Sequence, residues 1–348
     1  MIGKMDIRCK SMKASELISI IMPVQDTEQY LPQCLDSMIA QTEAHWELIA
    51  VNDHSKDGSF DVLAAYAIKD PRITVLNSTG HNIIAALQTG YAASQGVFIC
   101  RMDSDDIMHP RKLELLRSKL ESAQPKTVAA GNVRYFTDNG AIGDGYARYA
   151  KWLNTIAKNG LYWSELYKEC VLPSCCWMMR RNEFEEVGGF DSISYPEDYD
   201  FCFRLYQSGY RVDGLEEEIH FWRDREDRAS RTKEQYADNR FLALKTHYFH
   251  KLDRDSSKTL ILWGAGRNGK DLSKELSSKD IDFLWISNNA KKIGKHIYDT
   301  EIQSDTMIED VSKFQLIVAV SNESEKSDIK QLLESKGLIQ AKDFWFFL

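Results

Sequence analysis

Three carboxylates stand within four residues at Asp103, Asp105 and Asp106, directly after the apolar run Val97 to Met102. Such a run repels itself, so it calls for positive charge between the side chains. A hard divalent cation with oxygen ligands answers that need, and Mg²⁺ or Mn²⁺ also keeps substrate phosphates in its shell. On a diphosphate, the ion would take up charge that builds on a departing nucleoside diphosphate. Taken alone, the same residues also read as a solvated loop with a helix N-cap at Asp105 or Asp106, ahead of His109-Pro110.

Two further segments place acids where chemistry needs them. Asp53 follows the apolar run Trp46 to Val51. There it can accept a hydrogen bond from a base or sugar hydroxyl, or simply form a turn. Glu197 and Asp198 open a stretch that Phe201 and Leu205 continue at helical spacing. A helix start favours negative charge through its dipole. A general base on such a rigid element would take a proton from an acceptor hydroxyl, worth about 10²–10⁴-fold in rate.

The elements that must hold these acids follow from apolar periodicity. Leu17 to Met22 reads as a buried strand that stops at Pro23, and Leu31, Cys34, Leu35, Met38 and Ile39 recur as a helix face. Trp46–Val51, Ile73–Leu76 and Val97–Met102 read as further strands. Between them, helix faces run through Phe60, Leu63, Tyr66 and Ala67, then Ile83, Leu87, Tyr91 and Ala92. Strands alternating with helices imply an α/β fold with a largely parallel sheet, whose ligands bind at the carboxyl ends of strands. Asp53 and Asp103 both fall at such ends.

The 348 residues favour two domains, and 43% hydrophobic with 28% charged residues is an ordinary globular composition. A formal net charge of −8 argues against nucleic acid as a partner, because phosphate backbones need a basic face. An anionic substrate would need local positive charge from a metal or clustered Arg and Lys. The seven cysteines include no CxxC pair, which fits buried free thiols in a reducing compartment. No apolar run reaches the roughly 18 residues of a membrane span, and Met1 to Ser15 lacks the apolar core of a secretory signal. The expected location is cytoplasmic, with peripheral contact at the inner face of a membrane left open.

Taken together, the segments resemble family 2 glycosyltransferases of the GT-A fold. The resemblance rests on Ile18 to Val24, Leu31 to Thr42, Glu47 to Ser59, Ala86 to Gly90, Arg101 to Asp106, and Gly188-Gly189-Phe190-Asp191 with Glu197-Asp198, in the family's order. It covers roughly residues 16–245. It implies that Pro23, Val24 and Gln25 line the nucleotide pocket, that Asp53 hydrogen-bonds the base, and that Met102 and Asp103 lie beside the donor. Asp105 would be the metal ligand, shared with Asp103, and Asp198 the general base, with Glu197 its close competitor. One base without a nucleophile implies single displacement with inversion.

Some positions depart from the family. The paired acids after the second strand are Asn52-Asp53 here, a usual glycine is His54, and Arg225 stands where many relatives carry a histidine. His220 reads as a core or surface histidine. Arg223, Arg225, Arg228 and Arg231 could neutralise diphosphate oxygens, or form a salt-bridged surface with Asp224, Glu226 and Asp227.

Beyond a polar stretch at Lys251 to Lys258, Thr259–Trp263, Phe283–Ile286 and Leu316–Val320 read as strands. Gly264-Ala265-Gly266-Arg267-Asn268-Gly269 matches the dinucleotide fingerprint. The acid expected about 20 residues on is replaced by Ser287-Asn288-Asn289. The unit resembles small Rossmann-like modules behind some sugar-modifying enzymes. Tight packing is reason enough for the glycines, so NAD is not expected here; a structural, regulatory or acceptor-side role is.

The expectation is therefore an extension at 1–15, a GT-A domain at 16–250 and a Rossmann-like domain at 257–348. The reaction expected is metal-dependent, inverting transfer of a sugar from a nucleoside-diphosphate donor, UDP-linked, to a glycan or lipid-linked acceptor. A nucleotidyltransferase would show a glycine-rich basic loop in place of Pro23 to Thr27. A non-catalytic nucleotide-sugar or NAD sensor would not need Asp103, Asp105 and Asp198 together.

Overall fold

A computed structural model describes residues 16–138, 142–192, 196–225, 241–308 and 310–348. The extension 1–15, Glu226, Asp227, Arg228 and Arg231 lie outside the described residues. The chain first forms β1 (Ile18–Val24), α1 (Leu31–Ile39), β2 (Trp46–Asn52), α2 (Ser59–Lys69), β3 (Ile73–Asn77), α3 (Ile83–Ala93) and β4 (Phe98–Arg101). Next come β5 (Ile107–Met108), α4 (Lys112–Ser122), β6 (Thr127–Phe136), α5 (Asp144–Asn159), β7 (Trp177–Arg180) and α6 (Arg181–Glu186). Then follow α7 (Glu197–Gln207), β8 (Arg211–Arg223), α8 (Leu242–Tyr248), β9 (Thr259–Trp263), α9 (Arg267–Ser278) and β10 (Leu284–Ser287). The chain closes with β11 (His296–Ile297), β12 (Thr300–Ser304), β13 (Phe314–Val318), α10 (Glu323–Ser335) and β14 (Phe344–Phe346).

Packing divides these elements into two units that interleave along the chain. The first holds β1 through β6 with Ser174–Asp191 and Leu215–Arg223. The second holds α5 through Pro173, Ser192–Gly214 and the described chain from Asp224 onward. The sequence boundary between 250 and 257 thus falls inside the second unit.

In the first unit, the described strands make one sheet in the order β3-β2-β1-β4-β7-β6-β8-β5. The segment β3-β2-β1-β4 is parallel, while β4 with β7, β7 with β6 and β5 with β8 run antiparallel. Both faces of β1 and β2 are covered, which explains their nearly continuous apolar sequences. Ile18, Ile20 and Met22 pack with Leu31, Cys34, Leu35 and Met38 of α1 on one face. Ile21, Ile49 and Val51 pack with Ala86 and Leu87 of α3 on the other. Gly90 permits that approach, since a Cβ there would lie 2.8 Å from Ile21 Cγ2. Ile39 and Phe60, expected on inner faces, are exposed instead.

Strand β1 does not stop at Pro23 as expected; it runs on to Val24. Pro23 aligns with Val51 of β2, but the pairing with β4 ends at Ile21 and Arg101. Val24 O accepts from Asp53 N on the β2 side, whereas Ile21 O accepts from Met102 N on the β4 side. Alternation therefore turns the nitrogen of Pro23 toward β4, beyond the end of that ladder, where a missing N–H costs no bond.

The second unit has an aromatic core around α7. Tyr199 stacks on Phe203, Phe203 on Tyr248 at 4.5 Å, and Tyr167 on Phe347 at 5.2 Å. Asp253 accepts hydrogen bonds from Tyr167 Oη at 2.5 Å and Tyr206 Oη at 2.8 Å. Its sheet is ordered β11-β12-β10-β9-β13-β14 and is parallel except for β11. The strand order reverses at β9, as in dinucleotide-binding sheets. The six described cysteines are buried and free. Among the described residues, no helix is long and apolar enough to cross a membrane.

Candidate active site

The loops after β1 and β2 are stitched to one another. Asp53 N donates to Val24 O at 2.7 Å, and Gln25 Nε2 donates to Asp53 O at 3.1 Å. Asp26 Oδ1 accepts from Lys56 N, Glu28 Oε2 from Gly58 N, and Ser59 Oγ from Thr27 N. Asp57 Oδ2 accepts from Glu28 N in return. Thr27 Oγ1 also bonds Ser104 Oγ at 3.0 Å, tying the first loop to the acidic one. Asp53 is thereby held, buried, at the carboxyl edge of the sheet.

His54 sits in the left-handed region at φ 58°, where the family's glycine would be unstrained. Its Nδ1 meets Asp53 Oδ1 at 3.2 Å and its ring lies 4.0 Å from that of His81, contacts that offset the conformational cost. Asn52 is structural: its amide donates to Asn77 Oδ1 and its Oδ1 accepts from Ser55 N.

The acidic run proves to be three separate environments. Asp103 Oδ1 accepts from Arg101 Nη2 at 3.0 Å and Nε at 3.2 Å, and its Oδ2 meets the Ser174 hydroxyl at 3.4 Å. Burial opposes the charged form, but the charge of Arg101, with a hydrogen bond from Cys175, holds the Asp103 carboxyl below its usual range.

Asp106 is only 1% exposed and accepts from His220 Nε2 at 2.9 Å and Arg223 N at 2.8 Å. On the other side of the imidazole, Lys112 Nζ lies 3.3 Å from His220 Nδ1 and donates to Cys175 O at 2.5 Å. An ammonium at Nδ1 leaves the ring proton on Nε2, donated to Asp106. Arg223 is buried, donating to Asp105 O at 2.7 Å and pairing with Asp138.

These contacts correct two expectations. No helix is capped by Asp105 or Asp106, because β5 follows them and α4 begins only at Lys112. Asp106 is committed to His220 and Arg223 instead. Nor does Arg223 face a diphosphate, since its guanidinium is spent on the acidic loop, Asp138 and Gln33.

Ligand atoms of Asp106, Cys175 and His220 lie within 4.8 Å of one another, the spacing of a metal site. The Asp106–His220 hydrogen bond and the adjacent Lys112 ammonium already satisfy that cluster, and a hard cation prefers oxygen donors. Asp103 and half-buried Asp105 supply such donors. The loop's field is negative even with Arg101 in place. Burial and then Asp106, Asp105 and Asp103 push the Cys34 thiol well above its ordinary value. Carboxylate oxygens are the donor class that Mg²⁺ or Mn²⁺ takes, with water and phosphate filling further positions.

The structure brings Pro23, Val24, Gln25, Asp53, Met102, Asp103 and Asp105 together in the first unit, at the carboxyl ends of β1, β2 and β4. Glu197 and Asp198 belong to the second, on the first turn of α7. Pro196 precedes that turn with φ −74°, a conformation its ring imposes. Glu197 is buried and Asp198 half-buried, with Asp198 Oδ1 accepting from Tyr199 N at 2.8 Å. Buried Asp200 accepts from Arg204 Nε at 2.9 Å and Tyr248 Oη at 2.7 Å.

Sequence reasoning missed Arg101, Lys112 and His220 as partners of the acids. Arg101 had a signal, since residues two apart at a strand end share a face. His220 had none, lying 114 residues from Asp106.

The family model for glycosyl transferase family 2 matches residues 19–188. EpsE of Bacillus subtilis is 27% identical over 237 residues, covering 66% of this chain and 82% of that protein. The glycosyltransferase GlyA of Streptococcus pneumoniae is 28% identical over 227 residues, 63% of this chain, which spans about a third of GlyA (32%). Among solved structures, residues 1–349 of Staphylococcus aureus TarS in complex with UDP-GlcNAc align with a TM-score of 0.51 at 15% identity, over 76% of this chain and 73% of that one. At that identity the likeness is one of fold.

Proposed function

We propose that this chain, whose residues 19–188 match the model for glycosyl transferase family 2, moves a sugar from a nucleoside-diphosphate donor to an acceptor hydroxyl with inversion. It is a transferase with the α/β GT-A fold. The observation that carries the donor reading is the stitched pair of loops that fixes Asp53 beside Gln25, next to the Asp103–Asp105 loop. These lie where strand order turns from β1 to β4, the place where parallel sheets bind nucleotides.

The donor we propose is UDP-linked, the class TarS carries in its complex. Asp53 would accept from the base, with Pro23, Val24 and Gln25 lining its pocket, and Met102 and Asp103 would lie beside the ribose. Asp103 and Asp105 would hold Mg²⁺ or Mn²⁺, which when bound offsets charge on the leaving diphosphate. Asp198, more open to solvent than Glu197, would take the proton of the acceptor hydroxyl. The freed oxygen then attacks the anomeric carbon opposite the diphosphate, whose C–O bond breaks with its electron pair on the nucleotide. The acceptor class proposed is a glycan or lipid-linked sugar.

Calorimetry of UDP with and without Mn²⁺ tests this reading. Binding should strengthen with the ion in the wild type, and Asp105→Ala should remove that dependence. Ion-independent UDP binding, equal in both proteins, would overturn the metal assignment.

A further inference from the structure

A cavity of about 560 Å³ opens at the switch point of the second unit's sheet. One wall is the glycine turn after β9, where Ala265 and Gly266 lead into α9 with Arg267 and Lys270. The other is the loop after β10, with Lys291 and Lys295. We propose that this cavity binds a diphosphate-bearing ligand, held by Arg267, Lys270, Lys291 and Lys295.

Charge is the first argument. The chain carries a formal net charge of −8, yet this cavity gathers cations against one carboxylate, Asp271. Among the described residues, none of Arg267, Lys270, Lys291 and Lys295 forms a salt bridge. Cations that outnumber the one carboxylate repel one another, and a polyanion between them turns that repulsion into attraction.

The cavity is also built. Lys292 Nζ donates to Ala265 O at 2.7 Å, anchoring the second loop to the glycine turn. A Cβ at Gly269 would lie 1.8 Å from Gly264 O, so the start of α9 is pressed onto the turn. Gly266 precedes α9 without a side-chain cap, and the positive end of the helix dipole lies beside the lysines. The volume lies within the range of small-molecule sites, about 300–1,000 Å³.

The ligand class follows from what the second strand lacks. A dinucleotide site places a carboxylate at the end of β10 for the ribose hydroxyls. Ser287 stands there, and its Oγ accepts from Asn289 N. Recognition by cations, without that carboxylate, selects phosphate oxygens over a ribose. A nucleoside diphosphate and a lipid-linked diphosphate share that chemistry.

Hydrogen exchange on the full chain with millimolar inorganic pyrophosphate tests the assignment, because peptide resolution separates this cavity from the Asp53–Asp105 loops. Pyrophosphate should protect amides within 265–271 and 291–296. Lys291→Glu with Lys295→Glu, both at exposed positions, should weaken that protection about tenfold or more with the melting temperature unchanged; Lys270→Gln serves as a milder second variant. Tighter protection by UDP than by farnesyl diphosphate would assign a nucleotide, and the reverse a lipid-linked ligand. No protection by pyrophosphate, protection by NAD alone, or lysine-dependent sedimentation with phosphatidylglycerol vesicles without pyrophosphate protection would each overturn the proposal.

Discussion

Two acidic clusters of this molecule invite comparison, Asp103, Asp105 and Asp106 in the first unit and Glu197, Asp198 and Asp200 in the second. Each puts three carboxylates within four residues at the edge of a regular element. Each also contains one acid buried and committed to partners: Asp106 to His220 and Arg223, Asp200 to Arg204 and Tyr248. Each leaves another half-buried, Asp105 and Asp198. The source of the partners differs. The first cluster recruits residues more than 100 positions away, whereas Asp200 pairs with Arg204 one helical turn on and with Tyr248, 48 residues away. The buried acid braces its cluster so that the more exposed one can be aimed, and a brace wholly from afar is harder to lose by local fraying than one partly from the same helix.

The division of labour can be broken from either side. Asp198→Asn should lower transfer by about 10²–10⁴-fold while UDP binding and melting temperature stay near wild type. Equal loss of binding and transfer would remove the distinction between base and brace. Asp106→Ala should act on stability, leaving Lys112 as an uncompensated buried charge at a cost of about 3–5 kcal/mol. Asp200→Ala should cost less, about 1.5–3 kcal/mol, since it loses charge-assisted hydrogen bonds on a less buried face. Urea melts of the two variants rank these costs, and a reversed order would refute the argument from distant partners.

The smallest effect concerns a third acid with two tyrosines. Burial raises the Asp253 carboxyl above its usual range, against the pull of Tyr167 and Tyr206. A raised folded value means that its contribution is complete below the unfolded value of about 3.9 and is lost as pH rises through the folded one. Asp253→Asn, with one carbonyl for two hydroxyls, should be less stable than wild type at pH 4. The gap in melting temperature should narrow toward pH 7, and a gap that widens would contradict the raised value.

Much of the site is legible in the order of residue types along the chain. The apolar runs at Ile18–Met22, Trp46–Val51 and Val97–Met102 announce strands, and the acids directly after them land on the loops where a parallel sheet binds ligands. The helix start at Glu197 is legible from spacing and from Pro196. Pro23 misleads because its effect depends on which neighbour its nitrogen faces, and that is set by where β4 leaves the sheet. Asp105 and Asp106 mislead as caps because local pattern does not reveal a competing partner on β8.

By itself the sequence determined the α/β alternation, the likeness to the family and the positions of the candidate acids. All three rest on residue type and spacing along the chain, where side-chain period reports the element and its buried face. Only the tertiary structure decided which acid is a brace and which is open, and that α5 and α7 pack with the C-terminal sheet in one unit. Those outcomes rest on burial and pairing between residues far apart in the chain. Lys112, His220 and Asp106 become a charge network only when α4, β8 and the loop after β4 exclude water from the same place.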